Sequence, residues 1–162
     1  MRKWALISFA IIALLSGCRN SADMAVIGRW TGGFDALTID GKEDPALSQQ
    51  NRFSGFLQVY GGNNYVGEVE SRLQRFTFRG TWTLNRNQLS LNVAELEFDN
   101  PADEDVRAMD LRIISAEDIR AGLGRTITLT LSQDGERLTG LENQFGHVEL
   151  RPSFRRDMRT RS

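Results

Sequence analysis

The sequence predicts an all-β fold, a small antiparallel up-and-down β-barrel of about eight strands with one short helix. Three observations carry this expectation. Apolar residues recur with a period of two through most of the chain. The runs are short and are separated by turn residues, as in a series of hairpins. Each run has a single apolar face, and closing the sheet on itself covers those faces and hides the edges. A two-sheet sandwich would cover them as well and stands as the alternative.

The elements follow in order. Val26 to Phe34 opens the series. Ala36 to Gln50 contains Gly41 and Pro45 and keeps no steady period, so a long loop with room for a helical turn is expected there. Phe56 to Tyr60 and Tyr65 to Val69 flank Gly61-Gly62-Asn63-Asn64, a strong hairpin signal. From Arg75 to Leu84 the alternation is clean, with Phe76, Phe78, Gly80, Trp82 and Leu84 on one face and Arg75, Thr77, Arg79, Thr81 and Thr83 on the other. Asn85-Arg86-Asn87 makes a tight connection to a run carrying Leu89, Leu91 and Val93. The phase then slips to Ala94, Leu96 and Phe98. A one-residue slip would turn the core face outward, so a bulge is expected near Val93 and Ala94.

Met109, Leu111 and Ile113 mark a further strand. Ser115-Ala116-Glu117-Asp118 has the form of a helix N-cap with acids in the first turn, and Gly122 and Gly124 are expected to stop that helix. Ile127, Leu129 and Leu131 alternate with Thr126, Thr128 and Thr130. Gln133 to Glu136 turns the chain, Arg137 to Leu141 returns, and Gly146 to Leu150 ends the series. No repeat with the period of about 20–50 residues that marks a solenoid is present.

The N-terminus has a different character. Arg2 and Lys3 are followed by an apolar run from Trp4 to Leu15, broken only by Ser8, and then by Ser16, Gly17 and Cys18. This is the layout of a secretory signal, and the run is shorter than the roughly 20 residues a permanent membrane span needs. Leu15-Ser16-Gly17-Cys18 resembles the lipobox of bacterial lipoproteins. The resemblance implies that residues 1–17 are removed and that Cys18, the only cysteine, becomes the lipid attachment site. Several acyl chains hold a protein stably on a membrane, whereas one gives marginal binding. Lipidation also accounts for a lone thiol in an oxidising compartment. Arg19 stands where inner-membrane retention would place Asp, so the resemblance implies delivery to the outer membrane, facing the periplasm.

The expected organisation is therefore a signal peptide over 1–17, an anchor and short linker over 18–25, the barrel over 26–151 and a basic tail over 152–162. Loss of Arg2 and Lys3 leaves 18 basic and 21 acidic residues, a formal charge of −3, which disfavours general nucleic-acid binding. Charge is uneven. Arg151, Arg155, Arg156, Arg159 and Arg161 crowd the C-terminus, and acids crowd Glu95 to Asp105. The tail is either a frayed solvated end or a contact for anionic lipids or acidic polymers.

Gly28-Arg29-Trp30-Thr31-Gly32 resembles the Gly-x-Trp-x-Gly opening strand of lipocalins and related small barrels, and Gly80-Thr81-Trp82-Thr83 resembles the repeated strand of lipocalin-like bacterial proteins. The resemblance implies that Trp30 closes the barrel bottom under an Arg from a late strand, with Arg151 as a candidate. Read from the residues alone, Trp30 and Trp82 are core side chains beside glycines that let strands approach closely.

Catalytic patterns are missing. His147 is the single histidine, no nucleophile elbow, phosphate loop or metalloprotease helix is present, and Asp99 to Asp105 lacks the spacing and glycine of a calcium loop. Neither enzyme activity, a metal nor a cofactor is expected. Two functions remain. One is a carrier whose open lumen binds a small apolar ligand through Phe56, Tyr60, Tyr65, Phe76, Phe78 and Trp82. The other is an envelope adaptor whose filled barrel docks to a protein partner.

Overall fold

The computed structural model describes residues 23–43, 45–50, 52–71, 74–99 and 114–158. Cys18, the strand expected around Met109 to Ile113, most of the acidic segment and Arg159 and Arg161 lie outside these residues. A 3-10 turn at Asp23–Ala25 precedes β1 (Gly28–Ile39). Then come α1 (Pro45–Gln50), β2 (Phe53–Val59), β3 (Asn64–Glu70), β4 (Arg75–Asn85) and β5 (Gln88–Asp99). Helix α2 (Ala116–Leu123) leads to β6 (Thr126–Leu131), β7 (Arg137–Gly140), β8 (Asn143–Phe145) and β9 (Val148–Arg156).

All strand pairings are antiparallel; β1 to β7 pair in chain order, β7 pairs with β9, and β9 returns to pair with β1, closing the sheet. Strands β7 and β8 pair with opposite ends of β9. Together they form one interrupted stave, so the closed structure is an eight-stranded barrel, as the period-two pattern predicts. One end carries the 3-10 turn, the tight β2–β3, β4–β5 and β6–β7 turns and the chain after Arg156; we call it the turn end. The other end carries α1, α2 and β8; we call it the helix end.

Local chemistry explains the elements. The β2–β3 connection is tight because Asn63 takes a positive φ of 61° and Arg86 does the same between β4 and β5 at 58°. The bulge sits where the phase slips: Arg79 faces Glu95 while Gly80 faces Val93, so Ala94 is left without a partner on β4. Helix α2 is capped by Ser115, whose Oγ accepts the Asp118 backbone N–H at 3.0 Å. Gly124, at φ 63°, ends it, whereas Gly122 belongs to its last turn and packs under the Phe145 ring, a place where no Cβ fits.

Three expectations need correction. First, 36–50 is not one long loop. Strand β1 continues to Ile39, paired with Val148, and a shift of register between Ala36 and Thr38 resets its phase. Ala36 and Ile39 both point inward, three positions apart, which hides the alternation. Pro45 then opens α1, where a missing N–H costs nothing. Second, the opening strand begins at Gly28, because Asp23–Ala25 coils into the 3-10 turn. Third, the barrel does not end at Arg151. Strand β9 runs to Arg156, with Leu150, Pro152 and Phe154 buried and Arg151 and Arg155 exposed on the outer face. The residues expected to begin a tail are half of the closing seam.

Candidate functional site

The barrel interior is the place where a ligand carrier and a filled scaffold differ. Phe34, on β1, stands at its centre. Its ring centroid lies 5.8 Å from Phe76, 6.2 Å from Phe78, 6.0 Å from Phe145 and 6.3 Å from Phe154. Phe53 reaches Phe76 at 5.1 Å and Tyr65 reaches Phe78 at 6.0 Å. The tilted and edge-on arrangements are those aromatic quadrupoles favour. Rings from β1, β2, β3, β4, β8 and β9 thus meet across the barrel axis. Gly67 makes room for this packing. It faces Phe78 directly across β3 and β4, and the Phe78 ring lies over it where a Cβ would collide.

Of the six residues expected to line a lumen, four are buried and two are not. Tyr65, Phe76, Phe78 and Trp82 are buried. Phe56 and Tyr60 are not interior. Phe53, Leu57 and Val59 are the buried positions of β2, so Phe56 falls on the outer face, where the Arg29 guanidinium sits 4.0 Å above its ring. Tyr60 follows the strand, is 46% exposed, and contributes only its carbonyl, which accepts the Trp82 Nε1–H at 2.8 Å. Tyr65 is the chemically unusual interior residue. Its hydroxyl is buried with no hydrogen-bond partner among the described residues. Desolvation pushes its pKa well above the ordinary tyrosine range.

Among the described residues, side chains pack across both ends. At the turn end, Trp30 is fully buried and donates its Nε1–H to the Val26 carbonyl at 2.9 Å. The Arg156 guanidinium lies 4.3 Å over the Trp30 ring. It donates to the Gly135 carbonyl at 3.1 Å, to Ile27 at 3.3 Å and to Ala25. The fork therefore ties the N-terminal turn, the β6–β7 turn and β9 to one indole. Arg156, not Arg151, is the late-strand partner of Trp30. Arg151 points outward and pairs with Glu142 at 3.6 Å. The helix end is held by Gln74, which is 2% exposed and clasps the Ile114 backbone. Its Nε2 donates to the Ile114 carbonyl at 2.6 Å and its Oε1 accepts the Ile114 N–H at 3.0 Å. Ile119 and Leu123 of α2 are buried below.

Outside the barrel, Val93, Ala94, Leu96 and Leu123 floor a surface groove of about 450 Å³ beside the bulge, flanked by Arg120 and Arg125. Glu95 and Glu97 are engaged by Arg79, at 3.5 and 2.8 Å. His147 Nε2 is buried without a hydrogen-bond partner among the described residues. No group of three or more metal-ligating side chains occurs among the described residues. No described helix is long and apolar enough to cross a membrane.

The fold and interior define a small, closed, aromatic-filled antiparallel barrel. No protein-family model, curated protein or solved structure matches the chain.

Proposed function

We propose that the protein is a lipid-anchored envelope lipoprotein, tethered through Cys18 to the periplasmic face of the outer membrane, whose filled barrel is a rigid docking module for another envelope component. The observation that carries the docking role is the Phe34 ring with four aromatic rings packed around it, which occupies the space a carrier would keep for its ligand. The lipobox-like Leu15 to Cys18 supports the tether. Intact-mass analysis of protein extracted from membranes tests it. The expected chain begins at Cys18 and carries acyl groups. A chain beginning at Met1, or an unmodified sulfur, removes the tether. Cys18→Ser is expected to stop maturation.

The alternative is a carrier of a small apolar ligand, and one observation favours it. The Tyr65 hydroxyl, buried and without a partner among the described residues, would find one in a polar group of such a ligand. On that reading Tyr65→Phe weakens binding; on the docking reading it leaves partner engagement intact.

A further inference from the structure

We infer that the turn end of the barrel is a membrane-contact surface that rests on anionic phospholipid headgroups. The inference depends on the proposed anchor at Cys18. Asp23 follows that cysteine by five residues. A chain reaches at most about 3.3–3.6 Å per residue, so Asp23 stays within roughly 18 Å of the anchored sulfur. The 12 residues of β1 separate this end from the helix end. With the usual strand rise and barrel tilt, that places the helix end roughly 30 Å further away.

Exposed apolar side chains gather where the tether emerges. Met24, Tyr60 and Met158 are 57%, 46% and 58% exposed. Backbone pairing brings them to one end. Ala25, next to Met24, accepts from Arg156. Asp157, next to Met158, donates its N–H to the Arg29 carbonyl. Arg29 faces Gln58, two residues before Tyr60. Leu141, the other exposed large apolar residue among those described, sits instead at the break between β7 and β8.

Charge on the adjoining outer wall points to an anionic partner. Arg137 and Arg155 face each other directly across β7 and β9, and both are exposed. Like charges in that position repel. Neither has an ion-pair partner among the described residues, and Thr31, beside Arg155 on β1, offers no countercharge. A layer of phosphate groups would supply it, while Met24, Tyr60 and Met158 enter the interfacial zone below. Asp134, held in its turn by the Ser132 hydroxyl and the Glu136 N–H, acts on Arg137 electrostatically without an ion-pair contact, and Arg155 still faces Arg137 directly.

The test uses the lipidated mature protein in vesicles of phosphatidylethanolamine and phosphatidylglycerol. Cys18 is the only native cysteine and its sulfur is alkylated in the anchored form, so Met158→Cys and Leu141→Cys each create one reactive thiol for a fluorophore. A headgroup-nitroxide lipid is expected to quench the probe at position 158 several-fold more than the probe at 141. Arg137→Glu with Arg155→Glu, both at exposed positions, is expected to shrink the difference while near-ultraviolet circular dichroism stays unchanged. Equal quenching at the two positions, or quenching indifferent to phosphatidylglycerol, overturns the inference. So does binding of soluble polyglutamate in place of vesicle contact, which would identify an acidic polymer. Intact mass of the same sample separates the two claims: acylated Cys18 with equal quenching refutes the surface alone, and a missing lipid refutes the tether beneath it.

Discussion

Two side chains hold the barrel in ways that predict measurable losses. Phe34 touches four other rings, so Phe34→Ala leaves a cavity that its rigid neighbours cannot fill. The expected cost is about 3–5 kcal/mol by denaturant unfolding. Arg156 combines a stacked indole with three accepting carbonyls. Arg156→Lys keeps the charge but loses the planar fork, and is expected to lose about 1–3 kcal/mol, whereas Arg151→Lys should change little. Tyr65 works in the opposite sense. Its hydroxyl has no partner among the described residues, so Tyr65→Phe is expected to be neutral or stabilising near pH 7. The folded pKa is raised, so the folded state keeps its proton after the unfolded chain, with pKa near 10, begins to lose it. Stability therefore falls as pH rises above about 10, and Tyr65→Phe should flatten that fall in denaturation measured from pH 9 to 11. At this scale the sequence is only partly legible. Choosing Arg156 over Arg151 requires knowing that β9 continues past Pro152, and placing Phe56 outside requires the phase of β2, which the buried Phe53, Leu57 and Val59 set.

The elements divide by how their alternation is carried. Strand β4 and the hairpins are legible because apolar and polar residues alternate without interruption, and the β5 bulge is legible because its phase slip falls within a clear run. The same device in β1 is hidden, since the irregularity between Ala36 and Thr38 separates one small residue from Ile39 and leaves no run beyond it. Strand β9 is masked by its own outer face, where arginines read as a solvated tail. Helix α2 is legible at its start and at Gly124, which ends it, while Gly122 serves a close approach to Phe145 rather than a stop. The helix depends on two polar devices. Ser115→Ala removes the cap and is expected to cost about 0.5–2 kcal/mol. Gln74→Ala leaves the Ile114 N–H and carbonyl buried without their present partners, and hydrogen exchange across 114–123 should speed while the exchange of β2 and β3 amides does not.

At the scale of the whole molecule, closure is the property that matters. The seam joins β1 to β9, the first and last strands described, so the barrel is completed only when the C-terminal strand is in place. Truncation after Arg151 removes Pro152 to Arg156, including Phe154 and Arg156, and is expected to abolish cooperative unfolding. Truncation after Met158 is expected to leave the melting temperature nearly unchanged. On the proposed docking role, the working surfaces of the barrel are its ends and outer wall rather than its interior. The fold was legible because closing many one-faced strands has few solutions. Whether the lumen is filled was not, because a packed core and a ligand cavity call for the same phenylalanines. Titrating the mature domain with fatty acids of graded chain length while following Trp30 and Trp82 fluorescence asks this directly. A filled barrel predicts no saturable change at any chain length. A saturable, stoichiometric change that Tyr65→Phe weakens would contradict it.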